Sequence, residues 1–301
     1  MRRYRFMQAT SFSNSEMRGY FLKKKIVSHL DSLLPLPEVV LKAQTLMQDP
    51  NSRFDDLSDI IETDQEITLN ILNVSNSPYY SLRNEVCSIN QACLILGLDV
   101  IAEIVMAAGT STLFGKALQA YCMNPRELWQ HSLSTALGSR KIAEAIRPSL
   151  ASEAYLSGLF HDVGKLVLEE HIFSRNDAFK DFLGNSPDPH FEAEKQILGF
   201  NHTEVAAELC KKWKFPGAVT RAIRHHHHLN PDQNDDLASI LYAADNLTRM
   251  VGNGNGIGNL PDSIVDMVME LLALDKDSLS HIMREVNESV GQIENEIFGT
   301  A

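Results

Sequence analysis

The sequence predicts an all-α protein built from two helical lobes followed by C-terminal helices. Apolar residues recur at helical spacing along most of the chain, and alternating strand patterns are scarce. Side chains that cap helix N-termini precede several of the apolar runs. With 301 residues, of which 44% are hydrophobic and 22% charged, the chain is long and apolar enough to bury a large core.

Shifts in composition divide the chain into five segments. Residues 1–20 are basic and are expected to be poorly ordered, residues 21–115 form an N-terminal lobe, and residues 116–251 form a second lobe. The Gly/Asn-rich stretch 252–261 is predicted to be a flexible linker, and residues 262–301 hold the C-terminal helices. Because residues 33–115 contain no histidine, we expect the N-terminal lobe to supply packing and recognition rather than chemistry.

Capping residues predict where the helices of the N-terminal lobe begin. The side chains concerned are Ser52 with Asp55 as a capping box, Asp64, Ser88 and Asp99. The second lobe is predicted to hold helices over residues 125–146, 153–171, 190–198, 203–213, 216–228 and 236–251. Two more are predicted over residues 265–272 and 279–297.

Charge and cysteine usage exclude some classes of protein. A formal net charge of −12 argues against a nucleic-acid partner, because phosphate binding needs a basic face. The four cysteines show no paired pattern, which favours reduced thiols and a cytoplasmic location. The most apolar stretch, residues 100–108, is too short for a membrane span and carries Glu103. Met17 is an alternative to Met1 as the start of the chain.

Several of the eleven histidines form a constellation with acidic residues. His161 and Asp162 are expected in mid-helix after an apolar run, where a carboxylate needs a partner, and Lys165 follows one turn later. Glu127 and His131 lie four residues apart on the preceding predicted helix. The downstream candidates are His202, the run His225, His226, His227 and His228, and Asp245 within an apolar helix.

Histidine and carboxylate ligands together predict a site for divalent transition metals. Fe or Mn fits this donor set best, with Zn or Ni as alternatives. Two ions that share a bridging carboxylate can polarise a phosphoryl group and activate water. The competing interpretation is that these histidines form a polar core network without any metal.

Nine sequence blocks are specific in combination. They are LPEVV at 36–40, IIETD at 60–64, ILNVSNS at 71–77, ACLILG at 92–97, LWQHS at 128–132, GLFHDVGK at 158–165, GFNHTEV at 199–205, WKFP at 213–216 and AIRHHH at 222–227. With them, the sequence resembles the HDOD family, an offshoot of the HD phosphohydrolases, over residues 33–251. The resemblance implies that the second lobe is an HD-type helical bundle in a bacterial-type signal-transduction protein.

The resemblance also implies a set of ligands. The HD pattern falls on His131, His161, Asp162 and Asp245. The pattern of the related HD-GYP phosphodiesterases adds Glu127, Lys165, His202, His226 and His227. The assignment of the histidine pair to His226 and His227 can be off by one position within the histidine run. The GYP signature is absent, because the chain reads LNPD at 229–232, so the resemblance does not imply cyclic di-GMP hydrolysis.

Two functional hypotheses follow. In the first, the chain is a metal-dependent phosphohydrolase of a nucleotide or phosphoester, in which Asp162 bridges two ions and Lys165 steadies the phosphate as catalytic residues. In the second, it is a catalytically inactive signalling module whose metal site is structural or sensory. The expected partners are a signalling protein or a phosphorylated small molecule, and neither nucleic acid nor a membrane.

Overall fold

The computed structural model describes residues 14–47, 61, 64–80, 82–174, 179, 189–228, 235–251 and 262–299. These residues form α-helices, turns and three short 3-10 helices, with no β-strand in the described ranges, which confirms the predicted all-α fold class. No helix within those ranges combines the length and apolarity needed to cross a membrane.

The described helices are numbered here in chain order. In the N-terminal part they are α1 Asn14–Leu33, α2 Glu38–Leu46, α3 Gln65–Ser75, α4 Ile89–Leu96 and α5 Leu98–Phe114. The second lobe holds α6 Glu127–Ile146, α7 Ala151–Phe160, α8 Gly164–Phe173, α9 Pro189–Leu198, α10 His202–Lys212, α11 Gly217–His225 and α12 Asp236–Val251. The C-terminal helices are α13 Asp262–Leu272 and α14 Lys276–Phe298.

The predicted caps of the N-terminal lobe are confirmed at two helices and wrong at a third. Asp64 accepts hydrogen bonds from the first turn of α3, and Ser88 accepts one from the first turn of α4. Asp99 does not cap α5, because this helix already begins at Leu98. Gly97, at a φ of 86°, lies between the end of α4 and the start of α5. The predicted capping box of Ser52 and Asp55 lies outside the described residues.

The helix predicted over residues 153–171 is two helices. α7 ends at Phe160 and α8 begins at Gly164, so His161 and Asp162 lie in the turn between them and not in mid-helix. In this turn the amide of Val163 donates to the carbonyl of Phe160, three residues back, which tightens the backbone relative to an α-helix.

Two glycines set how closely the elements around this turn approach one another. A Cβ at Gly158 of α7 would lie 2.6 Å from backbone atoms of Ala136 on α6. A Cβ at Gly164 would lie 2.0 Å from the carbonyl oxygen of His202, at the start of α10. Only glycine permits contacts this close, and they bring the turn next to both α6 and α10.

The first helix begins closer to the N-terminus than expected. α1 begins at Asn14, so residues 14–20 are helical, while residues 1–13 lie outside the described part of the chain. Ile26 and Leu30 are buried, and a Cβ at Gly19 would lie 2.6 Å from the carbonyl oxygen of Leu198. This packing anchors α1 against the second lobe, which a sequence of basic residues did not indicate.

The last helix contacts both lobes. α14 packs against α6 and against α3, with Leu279, Val286 and Ile293 buried. Gln130 of α6 donates to Glu294 of α14 at 2.8 Å. The C-terminal helices are therefore part of the packed structure, and the linker predicted at 252–261 lies outside the described residues.

A buried carboxylate lies where α5 meets α6. Glu103 of α5 forms an ion pair with Arg140 of α6, and Arg140 also contacts Glu144 at 2.8 Å. Glu103 Oε1 is buried and has no hydrogen-bond partner among the described residues. Burial therefore outweighs Arg140 and raises the pKa of Glu103 from 4.5 to about 8.

Replacing Glu103 by glutamine should make stability less dependent on pH. Because the pKa of Glu103 is raised, its contribution to stability is fully present below the unfolded pKa of 4.5 and is lost as the pH rises through about 8. Between about pH 5 and 8, the wild type should lose roughly 3 kcal/mol more unfolding free energy than Glu103→Gln. Urea unfolding at both pH values measures this difference. Glu144→Gln is the control, and equal pH dependence of the wild type and Glu103→Gln would contradict the account.

Candidate metal centre

Side chains from separate helices of the second lobe converge on one buried cluster. Four of them, His161, Asp162, His226 and Asp245, are 0% exposed. The cluster comprises His131 on α6, His161 and Asp162 after α7, His202 at the start of α10, His226 and His227 after α11, and Asp245 on α12. These are the predicted ligands apart from Glu127.

The first group of ligand atoms is formed by Asp162, His202, His226 and His227. Asp162 Oδ1 lies 3.2 Å from His202 Nε2 and 3.9 Å from His226 Nε2. His202 Nε2 lies 3.0 Å from His227 Nε2. One ligand atom from each of the four residues lies within 4.8 Å of the others, which is close enough for all four to bind one ion.

The second group is formed by His131, His161 and the other oxygen of Asp162. His131 Nε2 lies 3.2 Å from His161 Nε2. Asp162 Oδ2 lies 3.4 Å from His161 Nε2 and 3.7 Å from His131 Nε2. Asp245 Oδ1 approaches the same two nitrogens at 3.1 and 3.4 Å. Asp162 therefore directs one oxygen to each group of histidines.

Backbone carbonyls determine which ring nitrogen of two histidines carries the proton. His161 Nδ1 lies 2.7 Å from the carbonyl oxygen of Gly158, and His226 Nδ1 lies 2.7 Å from that of Ile223. A carbonyl oxygen only accepts hydrogen bonds, so both Nδ1 atoms are protonated. The Nε2 lone pair of neutral His226 therefore points into the cluster.

Two buried atoms of the first group have no hydrogen-bond partner among the described residues: Asp162 Oδ1 and His226 Nε2. An unsatisfied buried acceptor costs about 1–3 kcal/mol. A cation between these two atoms would satisfy both of them. The residues of the cluster therefore fit a metal ion, and their nitrogen and carboxylate donors suit Fe or Mn, with Zn or Ni as alternatives.

Glu194 of α9 supports His202 from behind. Its carboxylate is fully buried and lies 2.7 Å from His202 Nδ1 through Oε2. It also accepts from the backbone amide of His202 at 2.6 Å and from the hydroxyl of Tyr121 at 2.7 Å. Such a carboxylate–histidine pair leaves Nε2 free as the ligand atom and increases its basicity. Burial acts to lower the pKa of His202, but Glu194 and Asp162 outweigh it and raise that pKa.

Glu194 was not among the site residues predicted from the sequence. The signal was present, because Glu194 shares the inward face of α9 with Phe191 and Leu198 at helical spacing. An acidic residue on an apolar helix face is a candidate for a buried partner.

Each of the two central carboxylates has a cationic neighbour. Burial acts to raise the pKa of Asp162, but Lys165 Nζ, 2.5 Å from Oδ2, outweighs it and holds the pKa well below its usual range. Arg249 does the same for Asp245, which it contacts at 2.5 Å. Both carboxylates are therefore ionised at neutral pH. Sequence analysis identified Lys165 but missed Arg249, although Arg249 follows Asp245 by four residues on α12.

The protonation of the histidines also differs across the cluster. Burial acts to lower the pKa of His161, but Asp162 and Asp245 outweigh it and raise that pKa to about 9. Burial holds the pKa of His226 well below its ordinary value. A proton therefore competes with an ion at His161, whereas His226 is a neutral ligand.

Glu127 lies at the N-terminal end of α6 and contacts Asn124. Its two oxygens accept from the Asn124 backbone amide at 2.9 Å and from the side-chain amide at 2.6 Å. It does not belong to the groups of ligand atoms found within the described residues, and its role as a ligand remains a prediction. Within the histidine run, His226 and His227 belong to the first group, while His225 is exposed.

Replacing Glu194 by alanine should weaken metal binding about 10- to 100-fold, the range found when such supporting partners are removed. The variant leaves both the ring Nδ1 and the backbone amide of His202 without their acceptor. Equilibrium dialysis of metal-stripped protein against Mn measures the effect. The matched control is Glu208→Gln, which removes a carboxylate that pairs with Arg224 instead. Unchanged affinity in Glu194→Ala would show that Glu194 does not position His202.

Comparisons with known proteins agree with this fold. The chain is 22% identical over 247 residues to an "Uncharacterized protein" of Treponema pallidum (strain Nichols), covering 81% of this chain and 47% of that protein. The chain thus spans about half the length of the curated relative it matches.

Two solved structures share the fold over nearly the whole chain. A "Putative phosphohydrolase" of Shewanella amazonensis superimposes with a TM-score of 0.72 at 19% identity, covering 90% of this chain and 97% of that chain. An HDOD domain protein with unknown function from Geobacter sulfurreducens superimposes with a TM-score of 0.70 at 25% identity, covering 94% and 99%. The sequence model of the HDOD domain matches residues 33–229, well over half of the chain. The chain therefore belongs to the HDOD domain family.

Proposed function

We propose that the chain is a metal-dependent phosphohydrolase that acts on a nucleotide or another phosphate ester in bacterial-type signal transduction. One observation carries the proposal: the carboxylate of Asp162 directs one oxygen to each of two groups of histidines. A bridging carboxylate between two cation positions is the arrangement that two-metal hydrolysis requires. A protein of the same fold also carries the name of a phosphohydrolase.

The ligands divide between two ion positions. Asp162, His202, His226 and His227 would hold one ion, and His131, His161, Asp162 and Asp245 would hold the other. Fe or Mn is the expected metal, with Zn or Ni as alternatives. When bound, the ions would polarise the phosphoryl group and activate water for attack on phosphorus.

Lys165 supplies a fixed positive charge beside the ion positions. Lys165 is 6% exposed, and its ammonium lies 2.5 Å from Asp162 Oδ2. A lysine binds a phosphate oxygen as a point charge, and a preorganised charge of this kind is worth roughly 2–4 kcal/mol in a transition state. We propose that Lys165 binds an oxygen of the substrate phosphate. Until substrate binds, Asp162 holds the Lys165 ammonium beside the ion positions.

Some side chains at the cluster are partly exposed to solvent. The side chains of His131 and Arg249 are 13% and 30% exposed, whereas those of His161 and Asp162 are 0% exposed. A phosphate group would therefore approach past His131 and Arg249, with the remainder of the substrate outside the bundle. Because the GYP signature is absent, cyclic di-GMP is not the substrate that we propose.

A second function is favoured by a different observation. Asp162 and Asp245 each have a cationic partner within the protein, Lys165 and Arg249, so their charge is balanced even before an ion binds. A cluster of this kind is suited to a structural or sensory role in a catalytically inactive signalling module. This module would act by contacting a signalling partner and would not turn over a substrate.

Two substitutions should separate metal binding from turnover. Asp162→Ala removes the ligand shared by both positions, so metal content and hydrolysis should be lost together. Lys165→Met removes a charge but no ligand, so metal content should stay near that of the wild type while hydrolysis falls on the order of a hundredfold. Metal content by mass spectrometry and phosphatase assays of Mn- or Fe-loaded protein measure both. Lys141→Met, which removes a lysine–glutamate pair with Glu285, is the control.

The enzyme hypothesis fails if fully loaded wild type hydrolyses none of the nucleotides, cyclic dinucleotides and generic phosphoesters in such a screen. The inactive signalling module would then be the function to retain. Loss of metal from Lys165→Met would instead place Lys165 in the binding of the ions.

A further inference from the structure

One arginine contacts a ligand of each ion position. Arg249 lies one turn after Asp245 on α12, and its Nη2 and Nε lie 2.5 and 3.0 Å from Asp245 Oδ2 and Oδ1. The same Nη2 lies 3.1 Å from His227 Nδ1. Asp245 belongs to the second position and His227 to the first, so a single guanidinium spans both.

At Asp245 the guanidinium occupies the place of a cation. Its two contacts use both carboxylate oxygens, including Oδ1, the atom that faces His131 and His161. An ion bound to Oδ1 would lie beside a positive charge that cannot lose its proton. The repulsion between like charges, and the sharing of the same oxygen, both weaken binding of the ion.

At His227 the guanidinium determines the position of the proton. Arginine only donates hydrogen bonds, and Nη2 lies nearer to His227 Nδ1, at 3.1 Å, than to Nε2, at 3.5 Å, so Nδ1 is the acceptor and the proton of the neutral ring lies on Nε2. This Nε2–H then donates to His202 Nε2 at 3.0 Å, which is consistent with the proton of His202 lying on Nδ1 beside Glu194. A protonated Nε2 has no lone pair for an ion.

For His227 to bind an ion through Nε2, the proton has to move to Nδ1. It would then face the N–H groups of Arg249, so the guanidinium has to leave as well. Departure is feasible, because the Arg249 side chain is 30% exposed while that of Asp245 is 0% exposed. The guanidinium can swing into solvent while the aspartate stays in place.

We propose that Arg249 is a latch on the metal centre, which competes with metal ions for Asp245 and His227 and must swing outward before both positions are filled. The inference rests on the proposed metal centre and adds a regulatory residue to it. With Arg249 in place, His202 Nε2 accepts from His227, so only His226 and Asp162 remain available to one ion, and the second position is held closed.

The test compares metal-stripped wild type with Arg249→Gln by equilibrium dialysis against Mn, counting bound ions per chain. The wild type should bind its second ion weakly, and Arg249→Gln should bind that ion at least about tenfold more tightly. Arg249→Lys keeps the charge but cannot contact both oxygens of Asp245, so its affinity should lie between the two. The matched control is Arg224→Gln, an arginine of similar exposure that pairs with Glu208 outside the cluster.

Melting temperatures give an independent readout. Without metal, Arg249→Gln should melt below the wild type, because Asp245 loses its counter-charge. Added Mn should then raise the melting temperature of Arg249→Gln by more than that of the wild type. A purely structural arginine would lower both temperatures and leave the metal-dependent increase unchanged.

Three results would overturn the latch: two equally tight ions in the wild type, no gain of affinity in Arg249→Gln, or a loss of metal from that variant. The first of these, together with hydrolysis, would leave the proposed function standing. Absence of bound Mn from both proteins would reject the metal centre and the latch together. Binding by Arg249→Gln alone would support the latch in its strongest form.

Discussion

The rest of the site depends on the buried carboxylate of Asp162, which is surrounded by histidine side chains and one lysine. One oxygen faces His202 and His226, and the other faces Lys165, His161 and His131. An ionised carboxylate with no exposed surface is stable only if such partners hold it. The packing of the second lobe serves this requirement: Gly158 lets α6 approach α7, and Gly164 lets α10 approach the turn that carries Asp162.

The balance of charges within the cluster determines how it binds a cation. Lys165 and Arg249 neutralise the two aspartates, yet Asp162 Oδ1 and His226 Nε2 remain buried without hydrogen-bond partners among the described residues. The side chains of the two neutralising residues differ in how freely they can move, because Lys165 is buried and Arg249 is partly exposed. One ion position thus has two ligand atoms available in the folded chain, while the other is opened by the movement of a partly exposed side chain.

Much of this arrangement could be predicted from the sequence. Periodicity and capping residues predicted most helices, and the resemblance to the HDOD family implied a ligand set, His131, His161, Asp162 and Asp245, that the fold brings together. What could not be predicted depends on contacts between distant segments. The break between α7 and α8 lies next to the close backbone contact of Gly164 with His202, and no local sequence pattern indicates that contact. Glu194 and Arg249 could be recognised as charged residues on predicted helices. The direction in which their side chains point depends on how α9 and α12 are oriented in the bundle.

The most direct test is a crystal structure of Mn-soaked protein with anomalous diffraction data. The account predicts an anomalous peak about 2.2 Å from both Asp162 Oδ1 and His226 Nε2, a bonding distance for such ligands. Within the described part of the chain, these are the two atoms of the cluster that have no hydrogen-bond partner. A well-ordered cluster in which both atoms are bound only by water or protein groups, with no anomalous peak between them, would contradict the account.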